Sequence, residues 1–123
     1  MAWTSKPLRR LHELALTYPG AWEDHPWGDT VVKVGKKIFV FLGEGSEFGP
    51  GITIKLPDSA EPALMLGCTE RPGYGLGKAG WVSVHLDGAD CPSVDVLGDW
   101  LDESYRAIAP KKLVRELDDS MGA

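Results

Sequence analysis

Apolar residues recur at helical spacing near the start of the chain, at Leu8, Leu11, Leu14, Ala15 and Tyr18, after Pro7 and ahead of Pro19-Gly20. Proline suits the first turn of a helix and a Pro-Gly pair ends one, so the pattern predicts an amphipathic first helix. Residues 21–28 show no regular period, and their proline and glycine predict an extended or turning connection whose tryptophans pin it to the domain. Three strand-like runs follow, 30–34, 37–42 and 51–56, separated by Gly35-Lys36 and by a glycine-rich stretch over 43–51. Connections this short predict an antiparallel meander. Ala63, Leu64 and Met65 fit a short helix capped by Asp58 or Ser59, with Pro62 near its first turn and Gly67 ending it. A strand near Cys68 to Glu70 and a glycine-rich loop lead into Trp81 to Leu86, the clearest alternation in the chain. Ser93 caps a long helix running to about Ala109, with Val94, Leu97, Leu101, Tyr105 and Ile108 on one side. A terminal helical piece covers Lys111 to Leu117.

Strands gathered in the middle with helices at both ends predict an α+β fold. An antiparallel sheet of about five strands is covered on one face by the N- and C-terminal helices, as a single domain over residues 1–123. The other face is left open, and its residues matter most for binding. Trp81, Ser83 and His85 lie there opposite Val82, Val84 and Leu86, and Thr53 and Lys55 lie there opposite Ile52, Ile54 and Leu56. For the first hairpin the assignment hinges on the turn. Two residues at Gly35-Lys36 send Val32, Val34, Phe39 and Phe41 to one face, which buries both phenylalanines and is the commoner geometry. Three residues would instead gather Lys33, Phe39 and Phe41 on the open face with Trp81 and Lys55, a stacking platform with cations.

Pro26-Trp27-Gly28 leading into Val31-Val32-Lys33-Val34-Gly35-Lys36, and Lys78-Ala79-Gly80-Trp81-Val82-Ser83-Val84, carry a further signal. With Pro19-Gly20 before them and Ser104-Tyr105 after, they stand in the order of the MmcQ/YjbR family, which the chain resembles over nearly its whole length. The resemblance implies a frataxin-like (CyaY-like) fold and, through a likeness to double-wing DNA-binding domains, DNA binding by projecting hairpins. The family's polar stretch before the Lys-x-x-Trp step is replaced here by glycines, so Lys78 and Trp81 are the matching positions.

Charge changes this picture. The net charge of −5 disfavours a strongly nucleic-acid-coating surface, yet it is unevenly spread. Residues 1–57 hold seven Lys/Arg against six Asp/Glu, and residues 58–123 six against twelve, so an anion-facing surface is expected in the first half. Within the acidic half, Asp95, Asp99, Asp102 and Glu103 predict a solvated helix face opposite the core. With no apolar run near membrane-spanning length and no signal-peptide pattern, the chain is expected to be cytoplasmic with no membrane partner. Cys68 and Cys91 are too few and too far apart for a disulfide framework or a zinc site, and are expected as reduced structural thiols.

Catalytic chemistry finds little support. Gly73-Tyr74-Gly75-Leu76-Gly77 precedes a strand, whereas a dinucleotide loop follows one and opens a helix. Glu23, Asp24 and His25 are adjacent in extended chain and point in opposing directions, so a solvated loop is expected there and no metal. Tyr105 lies on the apolar helix face, where packing plus one hydroxyl partner is its expected role. The chain is therefore expected to be a non-enzymatic binding module without cofactor. Its leading partner is DNA, bound weakly and salt-sensitively through Lys36, Lys37, Lys55, Arg71 and Lys78. The alternative is a small ligand or protein bound on the open face around Trp81, Ser83 and His85. Were the chain an enzyme, Lys78 and His85 would be the groups to substitute.

Overall fold

The Ser5 hydroxyl accepts from the Leu8 amide and starts α1 (Lys6–Leu16), whose buried face carries Leu8, Leu11 and Ala15. The computed structural model describes residues 3–26, 30–44, 50–73, 79–88 and 90–122, and these form α1, β1 (Ala21–Asp24), β2 (Thr30–Val34), β3 (Lys37–Gly43), β4 (Gly51–Lys55), α2 (Ala60–Ala63), β5 (Thr69–Glu70), β6 (Trp81–His85), α3 (Val94–Ile108) and α4 (Lys111–Gly122). The strands make one antiparallel sheet in the order β1-β2-β3-β4-β6-β5. α3 packs across β3 and β4, and α1 packs against α3 and β1 to β3, so these helices share one sheet face. The α+β architecture is the one the sequence predicts.

The core lies between the helices and the side chains that alternate toward them. Val32, Val34, Val40, Leu42, Ile52, Ile54, Val82 and Val84 pair across the sheet and meet Leu8, Leu11, Leu97, Leu101 and Tyr105 from the helices. Fully burying an aliphatic side chain of this size contributes about 1.5–3 kcal/mol, so this layer supplies most of the drive to fold.

Four features depart from the sequence reading. The connection after α1 is a sixth strand, β1, because Ala21 to Asp24 take up the free edge of β2. Its Ala21 amide donates to Tyr18 O at 3.1 Å, so the chain enters the sheet directly from the helix end. The hairpin from β2 to β3 does use a two-residue turn, with Gly35 at φ +63, yet it does not bury both phenylalanines. A β-bulge shifts the register between the pairs Lys33↔Ile38 and Val32↔Val40, so Phe39 has no partner on β2 and joins Val40 on the helix side. Beyond the bulge the alternation resumes one step displaced, which sends Phe41 to the opposite face beside Val31.

The other two departures concern helices. The terminal helix is longer than the sequence reading has it, running to Gly122. The acidic stripe of α3 is only partly solvated. Asp102 accepts from the Tyr18 hydroxyl at 3.1 Å and pairs with Arg106 at 2.6 Å. The Glu103 carboxylate accepts from the amides of Asp58 and Ser59 and from the Ser59 hydroxyl, and so takes over the capping of α2 that Ser59 does not itself perform. Asp95 and Asp99 stay exposed, lining a groove of about 510 Å³ with Arg10, Leu14 and Val94.

Ser104 and Tyr105 hold the layers in register. In the β3–β4 ladder Val40 pairs with Ile54, so Phe39 and Lys55 come next, at the bulge. The buried Ser104 hydroxyl sits between them, donating to Phe39 O at 2.5 Å and accepting from the Lys55 amide at 2.9 Å. A side chain of α3 thereby replaces a rung of the sheet. Tyr105, fully buried, stacks on Tyr18 with centroids 4.6 Å apart, meets Phe39 edge-on at 5.2 Å, and donates its hydroxyl to Pro19 O at 2.6 Å. The two cysteines are free thiols, and burial together with the neighbouring Cys68 thiol pushes Cys91 up to about 11. Cys91 therefore stays a protonated thiol at neutral pH.

Candidate functional site

Antiparallel pairing places four of the predicted cations at one end of the sheet. β2 turns into β3 there at Lys36, with Lys37 next; β4 ends there at Lys55; β6 starts there at Trp81; and the chain leaving β5 at Arg71 heads toward it. The β2–β3 turn and β5 are three strand spacings apart, roughly 14 Å. Lys78 lies outside the described residues, as do Gly75 and Gly77 before it and Trp27.

These cations do not form one patch. Lys37 is the direct partner of Val34, which faces the helices, so its side chain leaves the sheet on the helix side. Lys55 is the partner of Trp81 and leaves on the other side. Lys36, Lys37 and Lys55 have no carboxylate within ion-pair distance among the described residues, whereas Arg71 is exposed and already engaged.

The face opposite the helices differs from the open polar plane expected. Phe41 on β3 and Trp81 on β6 reach across β4 to meet edge-to-face with centroids 5.6 Å apart. Val31 is fully buried beside Phe41, and Trp81 is only 7% exposed. The two rings are therefore packed on one another, with Trp81 nearly buried, and do not form the open stacking platform expected with a longer turn. Beneath them Thr53 and Ser83 share a hydroxyl–hydroxyl hydrogen bond of 2.9 Å, and His85 Nε2 lies 3.5 Å from the Glu70 carboxylate. Lys33, a cation of the platform expected with a longer turn, is bound to Asp24 at 2.7 Å and lies over the Trp22 ring at 5.2 Å. That lysine and the backbone amide of His25 hold the Asp24 carboxyl below the usual carboxylate range. On this face Lys33 is paired with Asp24 and Glu70 lies against His85, pairings that tertiary structure sets and local sequence does not signal.

The three residues Glu23, Asp24 and His25 are no bare loop. Glu23 brings His12 and His25 together, accepting at 2.5 Å and 2.7 Å from their Nε2 atoms. An indole N–H can only donate, so the 2.9 Å bond from Trp3 Nε1 makes His12 Nδ1 an acceptor and leaves its Nε2 as the protonated nitrogen facing Glu23. That tautomer has no free ring lone pair for a metal. Among the described residues no group of three or more His, Cys, Asp or Glu could hold a metal ion. The cluster ties α1 to the sheet's edge strand, and the sequence hides it because His12 and Glu23 belong to different elements.

The fold is thus a helix-covered antiparallel sheet with lysines at one end of it. Two sequence landmarks, Pro19-Gly20 and Ser104-Tyr105, meet through the Tyr105 hydroxyl. The family model YjbR matches residues 16–107, and the chain belongs to the YjbR family. Among curated proteins no match was found. Among the described residues no helix is long and apolar enough to cross a membrane.

Proposed function

We propose that this YjbR-family chain is a non-catalytic module that binds nucleic acid through phosphate contacts at the sheet end carrying the β2–β3 turn. The observation behind this reading is that Lys36 and Lys37 stand at that turn without a carboxylate partner among the described residues, in a chain of net charge −5. Cations left unpaired in an acidic protein favour an anionic partner. Lysines offer point charges without base-edge geometry, so the binding is weak, salt-sensitive and indifferent to sequence. Fluorescence anisotropy of labelled duplex and single-stranded DNA at low and moderate salt tests it. Substituting Lys36 and Lys37 together by Ala should lower the slope of log affinity against log salt by about two. No binding by the unaltered protein at low salt would overturn the reading.

A second reading places a small ligand or protein on the face around Trp81, Ser83 and His85, supported by Lys55, a half-buried cation beside the Phe41–Trp81 pair. Quenching of tryptophan fluorescence by an anionic metabolite, lost in Lys55→Met, would favour it. A flat response across a metabolite set would remove it.

A further inference from the structure

A basic pair outside the predicted set completes the surface. Lys111 and Lys112 open α4, and both are exposed. The next residue, Leu113, packs on Gly20 so closely that a Cβ there would stand 2.9 Å from Leu113 Cδ1, with Val34 Cγ2 at 3.8 Å. Val34 is the direct partner of Lys37. The first turn of α4 therefore lies beside the β2–β3 turn, on the helix side to which Lys37 points. Lys36, Lys37, Lys111 and Lys112 thus belong to neighbouring turns, and none has a carboxylate within ion-pair distance among the described residues.

Two physical preferences oppose this gathering. The first turn of a helix carries partial positive charge and favours Asp or Glu, yet α4 has no acidic residue there and begins with two lysines. Like charges from two elements also repel, in a chain with 18 acidic residues available to separate them. A polyanion laid across both turns removes the repulsion and suits the helix end.

We infer that the nucleic-acid backbone crosses the β2–β3 turn and the first turn of α4, with Lys111 and Lys112 contacting phosphate alongside Lys36 and Lys37, and does not lie on the sheet face of Trp81. The inference rests on the nucleic-acid reading above and deepens it. It moves half of the contact into the acidic half of the chain, into a helix that begins after the segment matched by the family model.

The test is anisotropy of labelled duplex and single-stranded DNA in a salt series. Three variants of the full chain are compared with the unaltered protein: Lys111→Ala/Lys112→Ala, Lys111→Glu/Lys112→Glu and Lys55→Ala. The alanine pair should lower the salt slope by about two. The glutamate pair should weaken binding by about tenfold or more while the thermal midpoint holds or rises, because acids suit a helix N-terminus. A folding defect would lower that midpoint and is thereby told apart from lost phosphate contacts. Lys55→Ala should change little. Full binding by the glutamate pair, with binding lost in Lys55→Ala, would overturn this inference and move the phosphates to the opposite face while leaving the nucleic-acid reading intact. No binding by the unaltered protein would overturn both.

Discussion

Phe39 and Phe41 stand two residues apart on one strand and belong to different layers. Phe39 is fully buried between Tyr18 and Tyr105 under the helices, and Phe41 is half-buried against Trp81 on the other side. In a regular strand they would share a face. The bulge separates them, and the hydroxyl of Ser104 keeps it satisfied by meeting the Phe39 carbonyl. One helix face of aromatic and aliphatic residues thus builds the main core, while a single displaced ring seeds a small apolar cluster on the face otherwise available to ligands. The difference teaches that in this sheet the register decides which surface is filled: the Phe41–Trp81 cluster occupies the centre of its face, and lysines without a carboxylate partner among the described residues stand at one end of the sheet.

The sharpest way to break the comparison is to truncate each ring. Phe39→Ala should cost about 3–5 kcal/mol in urea unfolding, as a large buried side chain whose cavity cannot collapse. Phe41→Ala should cost about 1–2 kcal/mol, since less of its area is removed from water. Equal losses would mean the two faces are equally buried and the asymmetry is false. Next in size is Ser104→Ala, which leaves the Phe39 carbonyl and the Lys55 amide without their partner and should cost about 1–3 kcal/mol. Hydrogen exchange should quicken at Lys55 in particular. An unchanged rate there would show that β3 and β4 close the gap directly.

The smallest effects separate the faces by pH. Asp24, held low by Lys33 on the face opposite the helices, contributes stability above its unfolded value and loses it as pH falls through its lower folded value. Tyr18, on the helix side, is raised by burial first and then by Asp102. Its neutral form is favoured in the fold, so its contribution is complete below the ordinary phenol value near 10 and declines as pH rises above it. Asp24→Asn should therefore flatten only the acid limb of a stability profile, and Tyr18→Phe only the alkaline limb. A change of both limbs by either substitution would show that the two faces are coupled.

The elements that alternate strongly were legible. Trp81 to Leu86 and Gly51 to Leu56 place one apolar residue at every second position, so their faces follow from period two, and the Ser93 cap marks the start of α3. β1 was not legible: Ala21-Trp22-Glu23-Asp24 has no β-branched residue, and it is a strand because β2 offers an edge and Tyr18 accepts its first amide. Nor was the bulge, since Ile38 to Leu42 are apolar at every position and no alternation fixes their register. At the candidate site the turn lysines Lys36 and Lys37 were legible from Gly35-Lys36, but the neutralisation of Lys33 by Asp24 and the packing of Leu113 against Gly20 were not. Those contacts join residues whose separation in sequence carries no periodic trace.

By itself the sequence determined the α+β class, the caps and length of α3, and the sides taken by β4 and β6, because these follow from periodicity and short-range hydrogen bonding. Only the tertiary structure decided which phenylalanine faces the helices, which cations are left without a carboxylate partner among the described residues, and which sheet end collects them. Each of those depends on strand register and on one helix packing beside a turn, and both are set by the fit of the whole core.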